Sequence, residues 1–78
     1  MPNPHKTVYG KIIELGNGWS IAHDTYYKTL DLIFDKDVVW IYWIEDGQFR
    51  EAENTSPATP KKIQVLYKMY CLKDNIRT

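Results

Sequence analysis

The apolar residues of this chain come in short runs, and the most apolar run covers residues 38–44 (VVWIYWI). It is rich in β-branched and aromatic side chains, which suit a pleated, half-buried strand. Asp37 precedes it and Glu45-Asp46-Gly47 follows it, so the pattern predicts a strand between two turns, at the centre of a sheet. Successive side chains of a strand point to opposite faces. The two apolar faces predicted in this way are Val38, Trp40, Tyr42 and Ile44 on one side, and Val39, Ile41 and Trp43 on the other.

A hairpin is predicted before this central strand. Residues 7–15 alternate between two faces and form the first strand, in which Gly10 indicates a bulge or a close backbone approach. Gly16-Asn17-Gly18 follows, and Asn and Gly tolerate the positive φ angles of tight hairpin turns. Residues 19–23 (WSIAH) alternate again and form the second strand.

Residues 24–35 fit two patterns. A helix would begin at Asp24 or Thr25 as the N-cap and would gather its apolar residues on one arc. A strand suits the content of Tyr, Thr, Ile and Phe. Periodicity favours the helix and propensity favours the strand, and we expect the strand. Its shared face would carry Tyr26, Lys28, Leu30, Leu32 and Phe34.

The second half of the chain predicts a hairpin, a loop and a helix. Asp46-Gly47 is a hairpin turn, and residues 48–53 (QFREAE) form a polar strand suited to a sheet edge. Residues 54–60 form a loop that ends in Thr59-Pro60, which fits an N-cap followed by proline at the first helical position. Residues 61–72 then form a helix, although they also alternate like a strand. The helical stripe would consist of Ile63, Leu66, Tyr67, Tyr70 and Cys71.

These elements together predict an α+β fold, an antiparallel sheet of four to five strands with a C-terminal helix packed on one face. An all-β small barrel is the alternative if residues 61–72 are extended. The chain has 78 residues, which is the size of one small globular domain. We expect that domain to span 1–78, with residues 1–6 (MPNPHK) as a loose N-terminal lead-in.

Cysteine content and hydropathy predict the compartment. Cys71 is the only cysteine, so no intramolecular disulfide is possible, and so small a chain without a disulfide framework is typical of a reducing compartment. The N-terminus has no apolar core of a signal peptide. The longest apolar run has seven residues, far short of the ~20 that a spanning helix needs. We therefore expect a cytoplasmic protein with no membrane contact.

The net charge is zero, but the charges are unevenly distributed. Residues 1–60 carry five Lys and Arg against nine Asp and Glu, a net charge of −4. Residues 61–78 carry five against one, a net charge of +4. Attraction between the acidic body and the basic segment is the simpler interpretation, and a basic surface for a partner is the other.

The sequence offers no catalytic or metal-binding set. His23 and Asp24 are neighbours in a strand and point to opposite faces, so they do not form part of a triad. His5, His23 and Cys71 lack the short paired spacings of zinc ligands. The paired acids lie at predicted turns, where Asp caps backbone groups. We expect no enzyme activity, no metal and no cofactor.

Aromatic residues make up 14% of the chain, more than the core of so small a domain explains. The core accounts for some of them, such as Trp19, Phe34, Trp40 and Tyr67. One helix covers only one face of a sheet, so the second apolar face of the central strand is exposed unless the sheet curls. An exposed aromatic patch with a polar rim is typical of a protein-binding surface.

We therefore predict a non-enzymatic protein-interaction module, such as an adaptor, an inhibitor or an assembly subunit. The same patch would also serve self-association. The expected partner-binding residues are Val39, Ile41, Trp43, Tyr26 and Tyr27.

Nucleic-acid binding through the basic C-terminal segment is the alternative. Small β domains bind single strands with stacking aromatics and a basic groove. The net charge of −4 over residues 1–60 would repel phosphate, which argues against this alternative. Its binding residues would be Lys61, Lys62, Lys68, Lys73 and Tyr70.

Overall fold

A computed structural model of the chain describes residues 9–52 and 59–77. The predicted lead-in, residues 7 and 8 of the predicted first strand, and residues 53–58 of the predicted edge strand and loop lie outside the described residues. The elements, in chain order, are β1 (Tyr9–Gly16), β2 (Trp19–Asp24), β3 (Thr29–Phe34), β4 (Asp37–Trp43), β5 (Gln48–Glu51) and α1 (Lys61–Arg77).

The five strands form one antiparallel sheet in the order β1-β2-β3-β4-β5, so each strand pairs with the next one in the chain. With one C-terminal helix, this confirms the predicted α+β fold rather than the all-β barrel. The helix begins directly after Thr59-Pro60 and extends beyond the predicted end at residue 72. The side-chain amide of Gln64 donates to the Thr59 carbonyl at 2.9 Å, which fixes the start of the helix.

The strand interpretation of residues 24–35 is confirmed for β3, but the strand begins only at Thr29. Residues 25–28 form a turn instead, which ends at Lys28 with a φ of 58°. The carboxylate of Asp24 orders this turn because its Oδ1 accepts the backbone N–H groups of Tyr26 at 2.9 Å and Tyr27 at 3.1 Å.

The central strand of the sheet is β3, not β4. The prediction that residues 38–44 lie at the centre is wrong by one strand, because β4 pairs with β3 on one side and with the short, exposed β5 on the other. The first four residues of β3 are all buried, as expected for a strand with long neighbours on both sides. The polar strand β5 is a sheet edge, as predicted.

The hydrophobic core lies between one face of the sheet and the helix. Ile63, Tyr67 and Cys71 follow one another at intervals of four along α1 and are buried against the sheet. The Tyr67 hydroxyl donates to the carbonyl of Leu30, which ties the helix to the central strand. Trp19 and Tyr67 are therefore core residues, as predicted. The sheet contributes the buried residues Trp19, Ile21, Leu30, Leu32, Val39 and Tyr42.

A bulge between β3 and β4 changes which residues of β4 share a face. Leu32 pairs with Trp40 but Ile33 pairs with Val38, so Val39 is the additional residue on β4. Val39 is 0% exposed and belongs to the core. The prediction that Val39 shares an exposed face with Ile41 and Trp43 is therefore wrong, because the strict alternation behind it ends at the bulge.

Candidate functional site

The face of the sheet opposite the helix carries a groove of about 590 Å³. Cross-strand pairing places Asp31 beside Ile41 and Thr29 beside Trp43 on this face. Because the bulge turns Val38 to the same face, β4 contributes three apolar side chains to the groove. The lining residues are Tyr9, Asp24, Tyr27, Thr29, Asp31, Lys36, Asp37, Val38, Ile41, Trp43 and Ala52.

A buried carboxyl group, that of Asp31, lies at the centre of this face. Asp31 belongs to the central strand, is 5% exposed and pairs with Ala22 on one side and Ile41 on the other. The hydroxyl of Thr29 donates to its Oδ1 at 2.7 Å, and the hydroxyl of Tyr9 donates to its Oδ2 at 3.3 Å. Both hydrogen-bond donors to this carboxyl group within the described residues are therefore uncharged.

Burial raises the pKa of Asp31, and the nearby negative charge of Asp24 adds to the shift. The hydrogen bonds from Thr29 and Tyr9 favour the ionised form and so oppose this rise in pKa, and the charge of nearby His23 opposes it as well. Burial, followed by the charge of Asp31, also raises the pKa of Tyr9 to about 12. Tyr9 is thus a neutral donor at physiological pH. No lysine or arginine in residues 9–52 and 59–73 forms an ion pair with Asp31.

Tyr9 reaches Asp31 because of an irregularity at Gly10. The pairing of β1 with β2 shifts between Tyr9 and Lys11, so that Tyr9 pairs with Asp24 on the groove face. A Cβ atom at Gly10 would lie 2.8 Å from Cγ2 of Thr25, closer than such atoms approach each other. The register shift confirms the predicted irregularity at Gly10, whereas the close neighbour is a side-chain methyl group rather than another stretch of backbone.

Two aromatic side chains form walls of the groove. Tyr27 is held there by the turn that Asp24 orders, and its ring meets the ring of Tyr26 edge-on at 4.9 Å. Trp43 is half-buried, and Cζ of Arg50 lies 5.7 Å from its ring centroid. The Trp43 ring thus already contacts a cation, an arrangement in which the negative face of the ring attracts positive charge.

The structure brings together three of the five predicted partner-binding residues, namely Ile41, Trp43 and Tyr27. Tyr26 is 58% exposed and lies next to Tyr27 outside the lining, and Val39 is in the core. Sequence reasoning missed Asp31 and Tyr9. A signal for Asp31 was present, because it is the single charged residue in the run Leu30-Asp31-Leu32-Ile33-Phe34.

The residues of the nucleic-acid alternative are divided between two flanks of α1. Lys61, Lys62, Lys68 and Lys73 are all exposed, but Tyr70 is half-buried against the core. Residues of a helix follow one another at about 100°, so Lys68 and Tyr70 lie on opposite flanks of α1. The Lys68 ammonium lies 5.4 Å from the Trp40 ring and 5.8 Å from the Phe49 ring, on the side of β5.

Comparison of the chain with models of protein families, with curated proteins and with solved structures finds no match. The site is therefore interpreted from its own geometry. Across the part of the chain that the structure describes, no three His, Cys, Asp or Glu side chains are grouped so as to hold a metal ion. In those same residues, no helix is both long enough and apolar enough to cross a membrane.

Proposed function

We propose that this protein is a non-enzymatic interaction domain that binds a segment of a partner polypeptide in the groove on the helix-free face. One observation carries the proposal. The helix covers one face of the sheet, and the other face presents a groove with aromatic walls and a buried carboxyl group at its centre.

The size and composition of the groove suit a polypeptide segment. A volume of about 590 Å³ lies within the range of about 300–1,000 Å³ in which protein pockets hold ligands. Trp and Tyr contribute much of the binding energy at protein interfaces because they bury large areas with few rotatable bonds. Trp43 and Tyr27 supply this contribution here.

The groove is also held in shape before a partner arrives. Most of its residues belong to hydrogen-bonded strands, and Tyr27 follows an ordered turn. A site formed in advance loses little conformational entropy on binding, which favours affinity. Binding therefore does not require refolding of the sheet.

Selection of short random peptides on the immobilised protein tests this proposal. Peptides that bind are synthesised with a fluorophore, and their affinities are measured by fluorescence anisotropy. Trp43→Ala should weaken binding by at least about tenfold, as the loss of a central aromatic contact does. Met69→Ala is the control, because Met69 is 61% exposed on the helix, away from the groove.

The proposal is contradicted if no peptide binds, or if Trp43→Ala and Met69→Ala have the same effect on every peptide. Circular dichroism of both variants establishes that they are folded. Labelled oligonucleotides form the competing arm. If the protein binds these oligonucleotides, and if that binding weakens steeply with salt and is unchanged by Trp43→Ala, the nucleic-acid alternative replaces this proposal.

A further inference from the structure

The charged residues of the groove favour a positively charged ligand. Asp24, Asp31 and Asp37 line it, and Lys36 is the one cationic residue among the lining residues. Three aromatic side chains, from Tyr9, Tyr27 and Trp43, stand among these carboxylates. Carboxylates and aromatic faces both attract cations, and they do so more strongly where water is partly excluded.

Of the three carboxylates, Asp31 is the one suited to receive a cation. Oδ1 of Asp24 already accepts two backbone N–H groups of the turn. Asp37 is exposed at the end of the β3–β4 turn. Asp31 is buried at the centre of the face, and each of its oxygens accepts one bond from a hydroxyl group. A carboxylate has about four acceptor positions, so it can accept further bonds.

Within the described residues, the hydrogen-bond donors of the Asp31 carboxylate are hydroxyl groups, and His23 acts on it through its charge without forming an ion pair. Burial of such a carboxylate is costly, because it removes water without placing a cation in direct contact. An incoming ammonium or guanidinium group would supply that contact. The Arg50–Trp43 contact shows that a wall of this groove tolerates a cation at short distance.

On the basis of the function proposed above, we propose that the groove recognises a cationic side chain of the partner polypeptide, that of a lysine or an arginine. Its charged head bonds to the Asp31 carboxylate, and its methylene stem lies between Tyr27 and Trp43. Ile41 and Val38 contact the neighbouring residues of the partner. Lys36 at the rim repels a segment with several adjacent cations, so the groove selects a basic residue flanked by neutral ones.

Peptides selected on the wild-type protein provide the test. Each lysine or arginine of a binding peptide is replaced in turn by norleucine, which keeps an unbranched apolar stem but has no charge. One such replacement should weaken binding by at least about tenfold, the effect of removing one member of a buried charge pair. The same replacement at other positions should change affinity little.

The protein is varied in parallel. Asp31→Asn keeps the shape of the side chain and an oxygen that can accept from Thr29, but it removes the charge. This variant should bind the lysine or arginine peptide and its norleucine counterpart with similar affinity. Asp35→Asn is the matched control, since Asp35 is exposed in the neighbouring turn and does not line the groove. It should retain the wild-type preference for the cation.

A spectroscopic measurement separates direct contact from a structural role. Carbon-13 NMR of the Asp31 carboxyl group should show its pKa falling when the basic peptide binds, because a nearby cation favours the ionised form. The norleucine peptide should not lower it.

The two proposals fail in different ways. If peptides bind through Trp43 but tolerate norleucine at every basic position, the cation inference is wrong and the interaction groove stands. If Asp31→Asn keeps the full preference for the cation, the inference is also wrong. If no peptide depends on Trp43, the proposed function itself is wrong.

Discussion

At the scale of single residues, Asp31 connects the stability of the fold to the proposed binding site. Its carboxyl group is buried on a strand between Ala22 and Ile41, and in the described residues its hydrogen bonds come from the hydroxyls of Thr29 and Tyr9. Such a group makes the folded state less stable when it is ionised. Residues that serve binding at a cost in stability are common at functional sites.

We predict that Asp31→Asn stabilises the protein at neutral pH. The pKa of Asp31 is higher in the folded state than its ordinary value of 3.8, so the folded state binds the proton more tightly than the unfolded state does. The wild type therefore loses stability as pH rises from 3.8 through the raised pKa, and the loss is complete above it. Asparagine does not titrate and avoids this loss.

Thermal melts across acidic and neutral pH check this prediction. The melting temperature of Asp31→Asn should exceed that of the wild type at pH 7, and the difference should shrink as the pH falls toward the ordinary carboxyl pKa. Asp35→Asn, at an exposed turn position, should not show this pattern. A variant that is less stable than the wild type at every pH would mean that the ionised carboxylate stabilises the fold.

The residue scale also shows what the sequence predicted and what it did not. Alternation along β4 correctly identified Ile41 and Trp43 as groove residues, because the strand is regular there. It failed for Val39, the additional residue of β4 at the bulge opposite Leu32 and Ile33, because the bulge leaves no mark in the sequence of β4. Asp31 was missed because its partner Tyr9 lies 22 residues away in the chain.

At the scale of elements, the hairpin turns differ in how well their residues fit them. The β1–β2 turn has Asn17 at a φ of 54° and Gly18 at 88°, the residue types that such turns prefer. The β3–β4 turn has Asp35 at a φ of 49° and Lys36 at 80°. A left-handed conformation costs a residue with a Cβ about 1–2 kcal/mol. Asp35, like Asn17, is of a type that tolerates this conformation, so the strain of the second turn lies at Lys36.

We predict that Lys36→Gly stabilises the domain by up to about 1 kcal/mol. Glycine adopts positive φ without steric cost, so the substitution removes strain from the folded state. We expect this gain in free energy to exceed the loss that arises because glycine makes the unfolded chain more flexible. Urea unfolding should show a higher midpoint with an unchanged slope. Lys11→Gly is the control. It removes the same side chain from strand β1, where φ is not positive, and should lower the midpoint.

Elements were predicted well where local signals and periodicity agreed. Thr59-Pro60 and the stripe with Ile63, Tyr67 and Cys71 gave the helix correctly. Residues 24–35 were ambiguous because the helical arc depended on Tyr26 and Tyr27. The structure places both in the turn that Asp24 orders, so their spacing reflects no helix. A side-chain hydrogen bond to a backbone N–H group cannot be read from hydrophobic periodicity.

At the scale of the whole molecule, the two faces of the sheet differ in structure. The helix face contains the buried core, and the opposite face contains the groove. In the described residues the helix is the one element that covers the core face. The stability of the domain therefore depends on the docking of α1, and we expect the helix and the sheet to unfold together.

Cys71 provides a direct measure of this docking. It is the only cysteine of the chain, is 0% exposed, and lies on the docked face of the helix. A thiol reagent can reach it only when the helix leaves the sheet. We predict that the free energy obtained from labelling equals the free energy of unfolding from urea, and that both fall with the same urea dependence.

Two variants test whether the labelling rate of Cys71 follows the docking of α1. Tyr67→Phe removes the hydroxyl that donates to the Leu30 carbonyl, a loss of about 1 kcal/mol, and should accelerate labelling about fivefold. Met69→Ala shortens an exposed side chain of the same helix and should leave the rate nearly unchanged. Labelling that is fast and independent of urea would show that α1 undocks on its own. In that case the sheet, with its groove, would have to hold its structure without the helix, which the burial of its core residues against α1 argues against.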